Sequence, residues 1–278
     1  MERIANPRDT RLLDYNNLTD AAAGKAGIFI VEGLLAVQRL MDCTDRTSAS
    51  RIRSVLLTPS RAATLTDLAT ACSARRIPLL VADRSLLHEV TGFDVHRGVL
   101  AAVQRTEMRS LTEVLDGAQR IVVLEGINDH ENIGSIFRNA AALQVDAVLL
   151  DSQSSDPLYR RSIRVSSGHV LSTPWTRVAQ LHSSLTQISQ EGFRIVGMTP
   201  HLGALAVDAA AVNGILDSPV AFVLGAEGPG LSDATLRACD YQVRIPMRAD
   251  VDSLNVATSL AVVASFAAAR HGWSDKLP

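Results

Sequence analysis

The sequence predicts an α/β protein built as two domains, and three observations predict it. Short apolar runs rich in β-branched residues recur along the chain, bounded by Gly, Pro or Asp. Stretches with helical spacing lie between them, and such alternation is what sheets covered by helices require. A polar stretch, RTEMRSLTEVLDGAQ at 105–119, then divides the alternation in two. We assign 1–105 to a first, small α/β domain, 106–119 to a linker and 120–278 to a second domain. The 278 residues are 47 % hydrophobic and 20 % charged, which suits folded domains rather than disorder. Both domains are long enough to bury a core.

The first domain opens with a predicted helix over 9–22. GIFIVEG (27–33) reads as a strand that enters a helix at 33–41. RSVLLTP (53–59) is a strand by length and β-branching, ended by Pro59. A helix at 62–75, the strand IPLLVAD (77–83), a short helix and the strand GVLAAVQ (98–104) follow. The second domain begins with IVVLEGI (121–127), apolar without alternation, as in a strand buried on both faces of a parallel sheet. Further strands are expected at DAVLLD (146–151), FRIVGMTP (193–200), PVAFVLG (219–225) and YQVRIPM (241–247). Helices are expected at 132–143, 157–168, 178–191, 231–239 and 254–270. No internal repeat or low-complexity segment interrupts the pattern.

Composition narrows the function. The N-terminus is charged and lacks the apolar core of a signal peptide, and no apolar run reaches the roughly 18 residues of a membrane span. A cytoplasmic location with no membrane partner is expected. Cys43, Cys72 and Cys239 are odd in number and far apart, which makes neither a disulfide framework nor a metal knuckle. They read as small apolar fillers. His130 beside Glu131 has no matching ligands, so no metal is expected. The net charge of −2 argues against indiscriminate nucleic-acid binding. It is uneven: residues 1–105 carry 14 Lys+Arg against 11 Asp+Glu, and the rest carry 13 against 18. Nearly every cation is Arg, whose planar fork suits phosphate, although a compositional bias toward Arg and Ala would give the same count.

Three stretches hold residues suited to chemistry. In NDHENIGSIFRNA (128–140), Asn132 stands at a helix start, where it reads first as an N-cap. Arg138 follows Gly134 by four residues, on the same helix face, and the helix start offers N–H groups to an anion. In VAFVLGAEGPGLS (220–232), an apolar strand runs into Gly225, Gly228 and Gly230 with Glu227 between them. This is neither a Walker loop nor the dinucleotide fingerprint, and alone it reads as a glycine-rich turn. In RIPMRADVDSLNVATSLAVVAS (244–265), Ser253 and Asn255 flank Leu254 at a helix start. Ser253 reads as the cap, which leaves Asn255 in the first turn, a poor place for Asn without a partner.

Each stretch is weak alone, but their order is specific. N-x-G-x-x-x-R, then G-x-E-x-x-G, then I-P-M followed by S-L-N-V resembles the three motifs of the SpoU (TrmH-like) RNA ribose 2′-O-methyltransferases of the SPOUT superfamily. The resemblance covers 121–270 closely. It extends more loosely to 12–105, where FIVEGLLAVQRLM and HRGVLAAV resemble that family's L30e-like substrate-binding domain.

The resemblance implies a parallel sheet closed by a C-terminal trefoil knot, a rare exception to unknotted chains. It implies methyl transfer from S-adenosylmethionine to a ribose 2′-hydroxyl, in a homodimer. The cofactor would be held by Leu224, Gly225, Gly230, Ile245, Met247 and Leu254. Arg138 would be the central catalytic residue, with Asn132, Glu227, Ser253 and Asn255 completing the site. Arg138 has been cast in the family as a base. A guanidinium is essentially always protonated, so gripping a phosphate and stabilising a developing alkoxide suit it better. Arg164 matches a basic position near the active site and would serve the partner subunit.

In the first domain Arg11, Arg51, Arg53, Arg61, Arg75, Arg76 and Arg97 are candidate phosphate contacts, with Arg11 and Arg97 put forward alongside Arg164. Aromatics are only 4 %, which favours folded RNA read by shape over stacked single strands. The N-terminal domain favours ribosomal RNA, 23S first, over transfer RNA. The alternatives are a transfer-RNA ribose methyltransferase and a catalytically idle RNA-binding or ribosome-assembly factor. The five intact site residues argue against the idle one.

Overall fold

The computed structural model describes residues 1–16, 19–43, 51–93, 95, 98–248 and 250–271. The chain divides into two compact units, Met1–Glu107 with Pro157–Ser172, and Met108–Asp156 with Thr173–Pro278.

The first unit carries five strands: β1 (Glu2–Ile4), β2 (Ile28–Glu32), β3 (Ile52–Leu57), β4 (Leu79–Ala82) and β5 (Val99–Gln104). Their order is β1-β4-β3-β5-β2. β1, β4 and β3 run parallel, whereas β5 is antiparallel to both β3 and β2. Ile30, Leu56, Leu80 and Leu100 from four strands meet Leu12 and Tyr15 in one core. Tyr15 is wholly buried, which pushes its phenol above the ordinary value. Its hydroxyl accepts from the Ala102 N–H at 3.2 Å and bonds Ser54 on the neighbouring strand. The helix expected at 9–22 is two pieces, a 3₁₀ turn at Thr10–Tyr15 and a helix at Asp20–Lys25. The helix expected at 62–75 is also two, Pro59–Thr64 and Thr66–Ala74. Pro59 ends the strand and opens the first helical turn, where its missing N–H costs nothing.

The second unit carries β6 (Arg120–Glu125), β7 (Ala147–Leu150), β8 (Trp175–Arg177), β9 (Arg194–Met198), β10 (Leu205–Ala206), β11 (Val220–Gly225) and β12 (Tyr241–Arg244). They form one parallel sheet in the order β10-β12-β9-β11-β6-β7-β8. The central strands β6, β11 and β7 are buried along their apolar runs, as their unbroken hydrophobicity predicts. No helix among the described residues is long and apolar enough to cross a membrane.

Two boundaries differ from the sequence expectation. The stretch 106–119, expected as a linker, contains the helix Leu111–Leu115. Ser110 and Glu113 close a capping box on it, while Val114, Leu115 and Ala118 join the second unit's core beside Ile121 and Val123. Its polar side chains face out and hide that burial. Conversely, Pro157–Ser172, expected within the second domain, belongs to the first unit. There Arg160 pairs with Asp20 at 3.4 Å and lies over the Phe93 ring at 4.2 Å, and Arg39 donates to the Ser167 carbonyl at 2.7 Å.

Candidate active site

A parallel sheet sets the carboxyl ends of its strands along one edge, where diverging loops leave a crevice. In the second unit a cavity of about 310 Å³ opens past the ends of β9, β11 and β12. Leu224, Gly225 and Gly230 line it from β11 and the loop after it, and Ile245, Met247 and Leu254 from the segment after β12. Those are the six residues expected to hold a cofactor. Glu227 and Ser253 reach the same cavity. Met198, the last residue of β9, Thr199 and Pro200 just past it, and Asp252 also line it and were not anticipated. The signal that would have found the first three is their position at a parallel strand's carboxyl end.

The glycine-rich loop has a steric cause. A Cβ on Gly225 would fall inside the backbone of Gly230 and Leu231, so only glycine lets the loop fold back on its own strand. Gly230 takes φ of 71° and its N–H donates to the Ala226 carbonyl at 2.9 Å, closing the turn. The far end is tied down by Glu125, the last residue of β6 and the register partner of Gly225. Its carboxylate accepts from the Ser232 N–H at 3.0 Å, the Ser232 hydroxyl at 2.8 Å and the Thr235 hydroxyl at 3.0 Å.

Beside the cavity, three side chains from three distant segments form one hydrogen-bonded network. Asn132 Nδ2 donates to Glu227 Oε1 at 2.9 Å. Asn255 Nδ2 donates to the same oxygen at 3.0 Å and to Asn132 Oδ1 at 2.7 Å. Asn255 Oδ1 accepts from the N–H groups of Ala257 and Thr258 at 2.9 and 3.3 Å, so Asn255 caps the helix Val256–His271. Those backbone donors fix which end of the Asn255 amide is oxygen, and that in turn orients Asn132.

Both capping expectations are therefore corrected. Asp129, not Asn132, caps the helix His130–Ala142, accepting from the N–H groups of Glu131 and Asn132 at 2.7 and 2.8 Å. Asn132 is left free to turn its amide into the network, and it is 7 % exposed. Likewise Asn255, not Ser253, caps the last helix, and Ser253 faces the cavity.

The remaining candidates are scattered. Arg138 is exposed, six residues after Asn132 and so about 120° round the helix from it. The structure does not bring it into the network. Arg164 is exposed on Arg160–Val165, in the segment that belongs to the first unit. Arg11 is taken up internally: it bonds Glu2 at 2.6 Å and Asp9 at 2.5 Å. Arg11 holds the Asp9 carboxyl down at about 2. Arg53 is tied to Asp14 at 2.7 Å, and Arg75 donates to the Met41 carbonyl. Arg97 lies outside the described residues. Among the described residues, no group of three or more His, Cys, Asp or Glu is placed to hold a metal ion.

The cavity fits a ligand with a flat apolar portion and a polar chain. Leu224, Ile245, Met247 and Leu254 offer apolar walls, the 225–230 backbone offers close approach, and Thr199, Ser253 and Asp252 offer polar contacts.

Comparison with known proteins agrees with this geometry. Residues 119–265 match the family described as the SpoU rRNA Methylase family, and residues 30–109 match "RNA 2′-O ribose methyltransferase substrate binding". An uncharacterised tRNA/rRNA methyltransferase of Mycobacterium tuberculosis is 43 % identical over 270 residues, spanning 94 % of this chain and 90 % of that protein. The 23S rRNA (guanosine-2′-O-)-methyltransferase RlmB of Ralstonia nicotianae is 30 % identical over 200 residues, 70 % of this chain and 78 % of that protein. The AdoMet-bound rRNA methyltransferase of Sinorhizobium meliloti superposes with a TM-score of 0.81 at 22 % identity, covering 98 % of this chain and 99 % of that one. At that identity the likeness establishes the fold.

Proposed function

From the premise that this chain belongs to the SpoU rRNA methylase family, we propose that it methylates a ribose 2′-hydroxyl of 23S ribosomal RNA in the cytoplasm, using S-adenosylmethionine. The RNA methyltransferase activity follows from the family. The 23S ribose rests on the RlmB relative and on the match to a substrate-binding domain. The observation that carries the reading is the carboxyl-edge cavity, with Glu227 belonging at once to its wall and to the Asn132–Asn255 network.

S-adenosylmethionine would supply an electrophilic methyl group on a sulfonium. The chain's own part is to enclose and orient. Leu224, Ile245, Met247 and Leu254 would exclude water around the cofactor. The loop 225–230 would give backbone hydrogen bonds where a side chain would obstruct. Glu227, pinned by two amides, would present a fixed negative charge toward a cationic centre without needing to reorganise. Ser253 is within the cavity to position the hydroxyl, and such positioning can supply much of the rate. A guanidinium is a poor base in general, so Arg138 is assigned to the target phosphate and the developing alkoxide, not to proton abstraction.

The fold reading includes two further proposals. The segment after β12 threads a loop to give the trefoil knot, a reading supported by 245–259 lining the same cavity as 224–230. The protein acts as a homodimer, supported by Leu202, Val212 and Phe266 standing exposed.

The test is methyl transfer from labelled S-adenosylmethionine to total RNA of a strain lacking the gene, followed by fractionation and alkaline hydrolysis. Label in an alkali-stable dinucleotide from 23S RNA is the expected result, with guanosine examined first. Label in transfer RNA would replace the ribosomal substrate with the transfer-RNA one. No label together with no cofactor binding would overturn the enzymatic reading.

A further inference from the structure

The helix that carries Asn132 is reached from β6 by a short bend at 126–129. Pairing between β6 and β7 ends at Leu124 and Leu150. Beyond that point the chain is still held, by the segment 151–155. The Asp151 N–H donates to the Leu124 carbonyl at 3.1 Å, and the Ser155 N–H to the Ile127 carbonyl at 2.8 Å. Side chains add to these. Asp151 Oδ2 accepts from the Gly126 N–H at 3.1 Å, and Ser154 Oγ accepts from the Ile127 N–H at 3.0 Å. Ser155 Oγ donates to the Asn128 carbonyl at 2.5 Å. The clamp is itself stiffened. Asp151 Oδ1 accepts from the Ser154 N–H at 2.8 Å and from its hydroxyl at 2.6 Å, and Arg177, the last residue of β8, donates to the Asp151 carbonyl at 2.9 Å. Asp151 and Ser154 are 8 % and 4 % exposed, so bulk water does not replace a partner that is lost. The same bend approaches the glycine-rich loop: Gly126 takes φ of 69°, and a Cβ on it would stand 3.6 Å from that of Ala226, the neighbour of Glu227.

We propose that Asp151 and Ser154 are positioning residues for methyl transfer. They fix the bend, and through it the helix start from which Asn132 meets Glu227 and Asn255. The inference rests on the methyltransferase reading of that network. Neither side chain is among those lining the cavity, so both act through Asn132 rather than on cofactor or substrate. The network bonds are 2.9, 2.7 and 3.0 Å long, which leaves little slack for a helix start that shifts. Both carboxylate oxygens of Asp151 are used as acceptors, so an amide cannot stand in for it. In Asp151→Asn an NH2 group must face donors on Gly126 or on Ser154. Ser154→Ala keeps the carboxylate and strands the Ile127 N–H.

The experiment uses the full chain, labelled S-adenosylmethionine and whichever RNA the total-RNA assay labels. In Asp151→Asn and in Ser154→Ala, kcat at saturating RNA and cofactor should fall about tenfold. The Kd for S-adenosylmethionine and the KM for RNA should stay within about twofold of wild type. The comparison is Asp146→Ala, at the opposite end of the same strand pair, where Asp146 Oδ2 accepts from the N–H groups of Gln119 and Arg120, each at 2.8 Å. It should lower the thermal midpoint, as the other two do, and leave kcat alone. A second readout is coupling: in an Asn132→Ala chain, Ser154→Ala should lower kcat no further, because the side chain it positions is gone. Should Asp151→Asn not fold, Ser154→Ala decides. An unchanged kcat in Ser154→Ala, an equal loss in Asp146→Ala, or a tenfold fall that persists in the Asn132→Ala chain would each overturn the positioning role and leave the methyltransferase reading standing. A wild-type chain that labels no RNA would instead overturn that reading, and this role with it.

Discussion

Two cavities, one in each unit, occupy equivalent places in unlike sheets. Each opens where neighbouring parallel strands end, β3 with β4 in the first unit and β9 with β11 and β12 in the second. Backbone geometry makes the crevice in both, and a glycine permits a close approach in both, Gly98 against Thr58 and Gly225 against Gly230. The linings then diverge. Among the described residues, Arg61, Arg84 and three hydroxyl-bearing side chains line the first, while the second is largely apolar and carries Glu227 and Asp252. Strand ends therefore offer a crevice in both units, and the side chains around each set what it suits.

The sharpest way to break this contrast is to fill the second cavity's turn. Gly225→Ala should abolish cofactor binding, a loss of about 100-fold or more by calorimetric titration, because backbone atoms of 230–231 have nowhere to go. RNA affinity should survive, as residues 30–109, matched as substrate-binding, are untouched. Gly228→Ala is the gentler partner: nothing lies within 4 Å of its Cβ, so only its φ of 88° is penalised, by about 1–2 kcal/mol. Normal cofactor affinity in Gly225→Ala would remove the second cavity as the cofactor site.

Next in size is the Asn132–Glu227–Asn255 network. Asn132→Asp sets a second carboxylate where an amide donated to Glu227 Oε1 at 2.9 Å, so kcat should fall by roughly 100-fold. Glu227→Gln keeps an oxygen acceptor and loses only the charge, so its fall should be smaller. Combined, the two replacements restore a donor–acceptor pair and should recover part of the loss, a coupling read from the double-mutant cycle. Strict additivity would mean that the network does not act as a unit.

Where strands were unbroken apolar runs, the sequence was sufficient, as for β6, β7 and β11. The three strands it missed, β1, β8 and β10, are two or three residues long and stand at sheet edges, where no periodicity can register. The helix at 111–115 was within reach, since S-x-x-E at Ser110–Glu113 is a capping-box pattern. The cavity lining was legible through the family's motifs. The network was not: its partners lie 95, 28 and 123 residues apart, and local rules assign Asn132 to a cap that Asp129 fills instead. Among the arginines, one cue to Arg11's internal role was its neighbour Asp9, two residues earlier.

The smallest expected effect asks whether the two units also differ in how they come apart. Each has an acid held below its ordinary range by local partners, Asp9 in the first and Glu113 in the second. Arg11 lowers Asp9 from 3.8 to about 2 in the first unit, and the Ser110 N–H and hydroxyl lower Glu113 from 4.5 in the second. A carboxyl depressed on folding contributes stability that is complete above its unfolded value and is lost as pH falls through its folded one. For Asp9 the loss should run from about pH 4 down to about 2. For Glu113 it should begin near 4.5 and continue below. Asp9→Asn should flatten the acid limb of the first unit's thermal transition, and Glu113→Gln that of the second. Followed by calorimetry from pH 7 to 3, two transitions that respond separately would establish two cooperative units. A single transition flattened by either change would mean that the two cavities rest on one folding equilibrium, and that a substitution in one unit reaches the other through stability.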